Sequence, residues 1–180
     1  DGDTIVETID PMRQPQNGRA TIGANRTIRY VPNANFSGEE TFYVIVTDQT
    51  ETGLSAAAKV TIEVTPVNDA PEIHDLAYYQ TTQEDSAIDV QLRVSDIDND
   101  LTESTSYTLT SEDDTLVTNG NISISHVDGD EMVIHVVPET NAYGTVKINA
   151  AASDGSLSAN GAFLLKIVPV NDPPEAEEDA

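Results

Sequence analysis

Apolar residues recur at every second position through most of this chain, and that period of two commits it to β-strands. Lys59 to Thr65 reads KVTIEVT, with Val60, Ile62 and Val64 on one face and Thr61, Glu63 and Thr65 on the other. Thr41 to Thr47, TFYVIVT, groups Phe42, Val44 and Val46. Ile88, Val90, Leu92 and Val94 alternate with Asp89, Gln91, Arg93 and Ser95. Met132, Ile134 and Val136 follow the same rule, as do Val146, Ile148, Ala150 and Ala152. Successive side chains of a strand point to opposite faces, so each run describes a half-buried antiparallel strand. Turn signals separate the runs at Asn17-Gly18, Asn119-Gly120, Asp128-Gly129 and Asp154-Gly155. No segment carries a sustained helical stripe. The chain is all-β, and many short strands between turns describe a β-sandwich.

A repeated phrase sets the size of the units. VTPVNDAPEI, from Val64 to Ile73, returns as VPVNDPPEA from Val168 to Ala176. The separation from Asn68 to Asn171 is about 100 residues, one small domain. Seven strands are predicted in that span, near 76–82, 86–95, 105–110, 120–126, 131–137, 145–153 and 160–168. Run up and down between two sheets, they put Asn68-Asp69 at one end with the loops 96–100, 128–130 and Asp154-Gly155. Glu84-Asp85 and the turn 138–144 fall at the other end with Asn171-Asp172. Acidic residues therefore gather at the poles. Proline in each phrase removes backbone donors and ends strand pairing at the domain edge.

The first unit is shorter. TIRYVPNANFSG, from Thr27 to Gly38, parallels VIHVVPETNAYG, from Val133 to Gly144, and Asp1-Gly2-Asp3 parallels Asp98-Asn99-Asp100. On that matching the first unit lacks its first two strands, which leaves open edges and an uncovered core face. The expected division is a partial repeat over 1–68, a complete one over 69–171, and the start of a following repeat or linker over 172–180. Such a chain is expected to be a fragment of a longer array. Phe36 and Tyr143 are expected to plug the sandwich corners.

Charge narrows the partners. Eight basic residues stand against 32 acidic ones, a formal charge of −24. That surface repels nucleic acid and anionic lipid, and it attracts cations. There are no cysteines, so disulfides and thiolate chemistry are excluded. No apolar run approaches the length of a membrane span, so direct membrane insertion is not expected.

EDSAIDVQLRVSDIDNDLT, LVTNGNISI, the turn 138–144, AASDGS and PVNDPP together resemble the cadherin-like tandem repeats of large bacterial surface adhesins of the RTX type. The first unit, DGDTIVETI through PVNDAP, resembles a variant of the same repeat. The resemblance covers essentially the whole chain. It implies a Greek-key β-sandwich of the cadherin/immunoglobulin-like kind, an extracellular bacterial cell-surface location, and Ca2+ held where successive repeats meet. By position, the linker ligands it implies are Asn68 and Asp69, and again Asn171 and Asp172. Asp96 and Asp98 take the place of a D-x-D loop, with Asp100 as a further candidate. Asp154 takes the aspartate near the top of the sixth strand and Glu84 the first-loop glutamate. Glu139 and Asn141 occupy a turn where cadherins place further ligands, without reproducing that motif.

The chemistry of the residues agrees with a hard cation. Calcium takes six to eight oxygens, several of them carboxylate, and carboxylates at i and i+2 converge when the backbone is a loop. The spacing is not an EF-hand, because Leu101 and Tyr107 stand sixth and twelfth from Asp96 where glycine and glutamate are required. With ligand sets incomplete at each end, binding is expected at about 10⁻⁴–10⁻³ M or weaker. A solvated acidic loop is the alternative.

Catalysis finds little support. His74, His126 and His135 have no metal-ligand spacing, and no G-x-S-x-G elbow occurs. Among so many acids a chance carboxylate pair is no evidence for a glycosidase. A sugar-binding module needs an aromatic platform, yet tryptophan is absent and Tyr78-Tyr79 is the one adjacent aromatic pair, of which one is expected to point inward. The expected function is a non-enzymatic, calcium-stiffened spacer whose partners are neighbouring repeats. The alternative is direct adhesion to a cell-surface protein or glycan.

Overall fold

The computed structural model describes residues 5–49, 53–98 and 105–172. Two compact units divide at Val67/Asn68. Asp1–Asp3, Asn99, Asp100 and the tail beyond Asp172 lie outside the described residues.

The first unit contains β1 (Ile5–Ile9), β2 (Gly18–Ile22), β3 (Ile28–Pro32), β4 (Gly38–Asp48) and β5 (Ser55–Val64). They form a three-stranded sheet, β1-β4-β5, and a hairpin, β2-β3. The second unit contains β6 (Glu72–His74), β7 (Tyr79–Gln83), β8 (Ile88–Ser95), β9 (Ser106–Ser111), β10 (Ile122–Asp128), β11 (Glu131–Val136), β12 (Gly144–Ser153) and β13 (Ser158–Val168). Its sheets run β10-β11-β8-β6 and β7-β13-β12-β9. Every pairing is antiparallel except that of β7 with β13, which is parallel.

Register shows the internal repeat. Gly38 pairs with Val64 as Gly144 pairs with Ile167, so β4-β5 repeats as β12-β13. In the same way β1 answers to β9, and the β2-β3 hairpin to β10-β11. Among the described residues, the first two strands of the second unit have no counterpart in the first. Those strands are β8 and a strand split between the sheets, with β6 pairing on β8 and β7 on β13. The run expected at 76–82 is this split strand. Its first piece lies earlier, and includes His74.

Alternation places the core. In the second unit Val90, Leu92, Val94, Ile134, Val136, Ile148, Phe163, Leu165 and Ile167 all face inward and are buried. Burying a side chain of this size contributes about 1.5–3 kcal/mol. In the first unit Phe42 and Val44 are buried, and Tyr30 stacks on Phe42 with ring centroids 6.2 Å apart. Val60, Ile62 and Val64 are only half-buried there, whereas their counterparts Phe163, Leu165 and Ile167 are fully enclosed.

Two expectations about aromatics fail. Tyr143 is 62% exposed and plugs nothing. The corner is filled instead by Val117, fully buried, and by Leu116, whose methyl groups lie over Gly144. Phe36 is half-buried. Tyr78 and Tyr79 are both exposed, at 67% and 53%. Tyr78 precedes β7, so strand alternation does not govern it. Tyr79 opens β7 opposite the outward-facing Leu164.

Candidate functional site: an acidic pole

The Asn68-Asp69 phrase is tied to one end of the second unit. Asn68 Nδ2 donates to Asp154 Oδ2 at 2.8 Å and to the Asp69 carbonyl at 2.9 Å. Asp69 N donates to Asp98 Oδ2 at 2.6 Å, and Asp98 N donates to Asp96 Oδ1 at 2.9 Å. These contacts follow from local chemistry. The Asp98 carboxylate reaches the Asp69 N–H, while Asp96 folds back on the backbone two residues on and turns the chain as β8 ends. Asp154 does the same in the β12-β13 turn, where its Oδ1 accepts from Ser156 N and Leu157 N at 2.6 and 2.7 Å. Gly155 there has φ +95°, open to glycine because it has no Cβ. The Leu157 N–H, the Asn68 amide and the Ser156 N–H hold the Asp154 carboxyl below its ordinary range.

Five of the sequence-derived candidates therefore form one hydrogen-bonded chain: Asn68, Asp69, Asp96, Asp98 and Asp154. Asp130 lies at the same end, where its carbonyl accepts from Val94 N. Asp100 lies outside the described residues. Glu84 and Asp172 belong to the opposite pole. Glu84 is 5% exposed, and its Oε1 accepts from Val170 N at 2.6 Å, two residues before Asp172. Asn171 Nδ2 reaches the Asp172 carbonyl at 3.1 Å, the same local turn as in Asn68-Asp69. Asn141 N donates to Asp85 Oδ1 at this pole, while Glu139 instead accepts from Asn121.

The donor set at the first pole is entirely hard oxygen, the kind that calcium takes. Among the described residues, however, no three acidic or histidine side chains already converge as a metal-holding group. The Asp96 and Asp98 carboxylates accept from backbone N–H groups instead, and Asp154 accepts from backbone N–H groups and from the Asn68 amide. Loop order placed Glu84-Asp85 beside the turn 138–144, but did not single out Asp85 as the partner of Asn141. The signal was the Glu84-Asp85 pair before an alternating strand, which reads equally well as an ordinary turn. Each histidine has a local partner: His74 Nε2 meets Ser95 Oγ at 3.0 Å, His126 Nε2 the Gly129 carbonyl at 2.7 Å, and His135 Nδ1 Asp89 at 2.6 Å on an open face.

Comparison with known proteins places this geometry. Residues 1–63 match the family Bacterial Ig domain. No curated protein matches the sequence. Among solved structures, protocadherin gamma B7 extracellular cadherin domains 1–4 are 16% identical, with a TM-score of 0.57 over 91% of this chain and 40% of that one. The protocadherin gamma B7 EC3-6 cis-dimer structure is 18% identical, with a TM-score of 0.55 over the same shares. The fold is Ig/cadherin-like. The chain spans less than half the length of those cadherin chains, and the likeness is one of fold. An endo-fucoidan hydrolase of glycoside hydrolase family 107 is 20% identical over 94% of this chain and 24% of its own, with a TM-score of 0.43, too low to carry an argument. Among the described residues no helix is long and apolar enough to cross a membrane.

Proposed function

We propose that this chain is a non-enzymatic, extracellular spacer in a bacterial surface adhesin, and that calcium taken up at the poles of its sandwiches stiffens it. One observation carries the reading: the linker residues Asn68 and Asp69 are bonded directly to the Asp154 and Asp98 side chains. A cation at this pole would exchange backbone N–H partners for an ion. Asn68, Asp69, Asp96, Asp98 and Asp154 would hold it, with Asp100 as a sixth candidate. Glu84, Asn171 and Asp172 would serve the other pole. The ion supplies no reaction. It cancels carboxylate repulsion of roughly 1 kcal/mol per close pair and fixes the linker to the sandwich it enters.

Calorimetric titration with calcium, together with small-angle scattering of a three-repeat protein in calcium and in chelator, tests this. The expected result is weak binding, about 10⁻⁴–10⁻³ M, a longer and stiffer particle in calcium, and loss of both in Asp98→Asn with Asp154→Asn. Absence of calcium heat together with an unchanged scattering profile removes the proposal. Direct adhesion is the second reading, favoured by the exposure of Tyr78 and Tyr79. Replacing the repeat by another separates the two, because a spacer tolerates exchange and a binder does not.

A further inference from the structure

The two sheets of the second unit differ in charge. None of β7, β9, β12 and β13 contains an aspartate or glutamate, in a chain that has 32 acidic residues. The opposite sheet has Glu72, Asp89, Asp128 and Glu131. Both lysines of the second unit lie in the acid-free sheet, Lys147 on β12 and Lys166 on β13. Each is flanked in its strand by buried residues, Val146 and Ile148 or Leu165 and Ile167, so both project from the outer face.

Register assembles a patch there. Leu164 stands opposite Tyr79 on one side and Lys147 on the other, and Lys166 stands opposite Thr81 and Thr145. Tyr79 and Lys147 are two strand spacings apart, about 10 Å. Lys147 is paired with Glu112 at 2.7 Å, but Lys166 is exposed and makes no ion pair among the described residues. Arg93, the remaining basic side chain of this unit, is bracketed by Asp75 and Asp130 on the other sheet. The corresponding sheet of the first unit has no such character, since Glu7, Glu39, Glu40, Asp48 and Glu63 are distributed over it.

We infer that the outer face of the β7-β13-β12-β9 sheet binds an acidic glycan, one pyranose ring lying against Tyr79 and Leu164 and its carboxylate reaching Lys166. A tyrosine presents an apolar face with a polar tip, suited to the C–H side of a sugar. The hydroxyl groups of Thr81 and Thr145 lie along the same face to meet ring hydroxyls, beside Asn149, whose Nδ2 donates to Glu112 at 3.2 Å. Charge selects the ligand within the second unit. Elsewhere on that unit a carboxylate meets acidic surface, and the Debye length of about 8 Å at physiological salt lets this face act separately from the rest. The inference is independent of the calcium reading.

The test is a 15N chemical-shift titration of the whole chain in chelator, with a galacturonate trimer and with a neutral glucose trimer as control. Chelator removes any calcium bridge between uronate and protein, so failure here leaves the spacer proposal untouched. The expected result is saturable shifts at Tyr79, Lys147, Asn149, Leu164 and Lys166 with the acidic trimer alone, and an affinity of about 1 mM for so small a contact. Tyr79→Ala weakens binding about tenfold. Lys166→Glu weakens it at least as much, while Tyr143→Ala, another exposed tyrosine, leaves it unchanged. Circular dichroism confirms that each variant folds. An equal response to the neutral trimer, shifts mapping elsewhere, or no shifts overturns the inference. So does concentration-dependent self-association that shifts these same residues, because a second copy is then the occupant.

Discussion

Glu40 and Val146 occupy one place in two copies of the same strand pair, facing Ile62 and Leu165 respectively. In the second unit the valine joins a continuous apolar core. In the first, the glutamate is 4% exposed and accepts from Asn17 N at 2.6 Å and Thr41 N at 3.1 Å. Burial alone pushes its carboxyl up, but the N–H groups of Asn17, Gln16 and Thr41 outweigh that and hold it below the ordinary glutamate range. One framework is thus held by two physical means. The second unit rests on apolar enclosure. The shorter one rests on Phe42 with Tyr30, and on carboxylates that fasten loops. Asp10 is the second of these: it accepts from Met12 N and Arg13, and the Arg13 guanidinium lies 4.0 Å over the Tyr43 ring.

The strongest challenge to that contrast is truncation at one register position in each unit. Phe163 and Val60 both face the core-lining residue of the neighbouring strand, Ile148 and Phe42. Phe163→Ala is expected to cost about 3–5 kcal/mol, the range for emptying a filled core site. Val60→Ala, at a half-buried site, is expected to cost about 1 kcal/mol. Urea unfolding followed on resonances of each unit measures both. Equal losses would mean that the first repeat has an enclosed core after all.

Next comes Glu40→Val, which copies the second unit's residue into the first. Hydrophobicity alone says the exchange stabilises. The three N–H groups say otherwise, since losing a carboxylate that fastens the loop at Gln16-Asn17 outweighs the added methyl groups, and a loss of about 1–2 kcal/mol is expected. A stability gain in thermal or urea melts would show that the loop at Gln16-Asn17 can find other partners.

This pair also shows what was legible beforehand. Strict alternation in KVTIEVT and its relatives told the strands and their faces, because a period of two has one structural reading. The repeated turn was equally plain: Asn35 and Asn141 both take left-handed backbone, φ 60° and 56°, in matched positions. The gathering of Asn68, Asp69, Asp96, Asp98 and Asp154 was legible from loop order in a sandwich. What alternation could not reveal was anything decided by a neighbour outside the strand. Glu40 reads as one more surface acid until Gln16 and Asn17 are known to lie over it. Tyr143 reads as a plug until Leu116 and Val117 take the corner. The split of one strand into β6 and β7 depends on which sheet each half joins, and no local pattern encodes that.

Acid offers a smaller and reversible version of the Glu40 exchange. A carboxyl held below its ordinary value in the folded chain contributes stability that is present above the unfolded value. It is lost as pH falls through the depressed folded value. Glu40 and Asp10 in the first unit and Asp113, Glu112 and Asp154 in the second all have this sign. Both units should therefore weaken only below the ordinary carboxylate range. The first should go earlier, because its glutamate sits among the core residues whereas the second unit's five-strand counterparts keep an apolar core. Amide-resolved pH titration reads the order, and simultaneous loss would contradict it. Glu40→Gln should flatten the first unit's response alone.

The finest comparison uses the glycine that starts β4 and β12. Gly38 has φ +115° and open space where a Cβ would stand, so Gly38→Ala meets backbone strain only. That cost is about 1 kcal/mol. At Gly144 a Cβ would stand 3.0 Å from Leu116 Cδ1, the mobile end of a side chain that packs against the core. Gly144→Ala must therefore also displace Leu116. The expected result is the larger loss in the second unit, with Leu116→Ala partly relieving it in the double variant. No such relief exists for Gly38→Ala, because nothing there has to move. If the two alanines cost the same and Leu116→Ala brings no relief, the corner of the second unit is looser than its packing indicates, and its contrast with the first unit shrinks to the core alone.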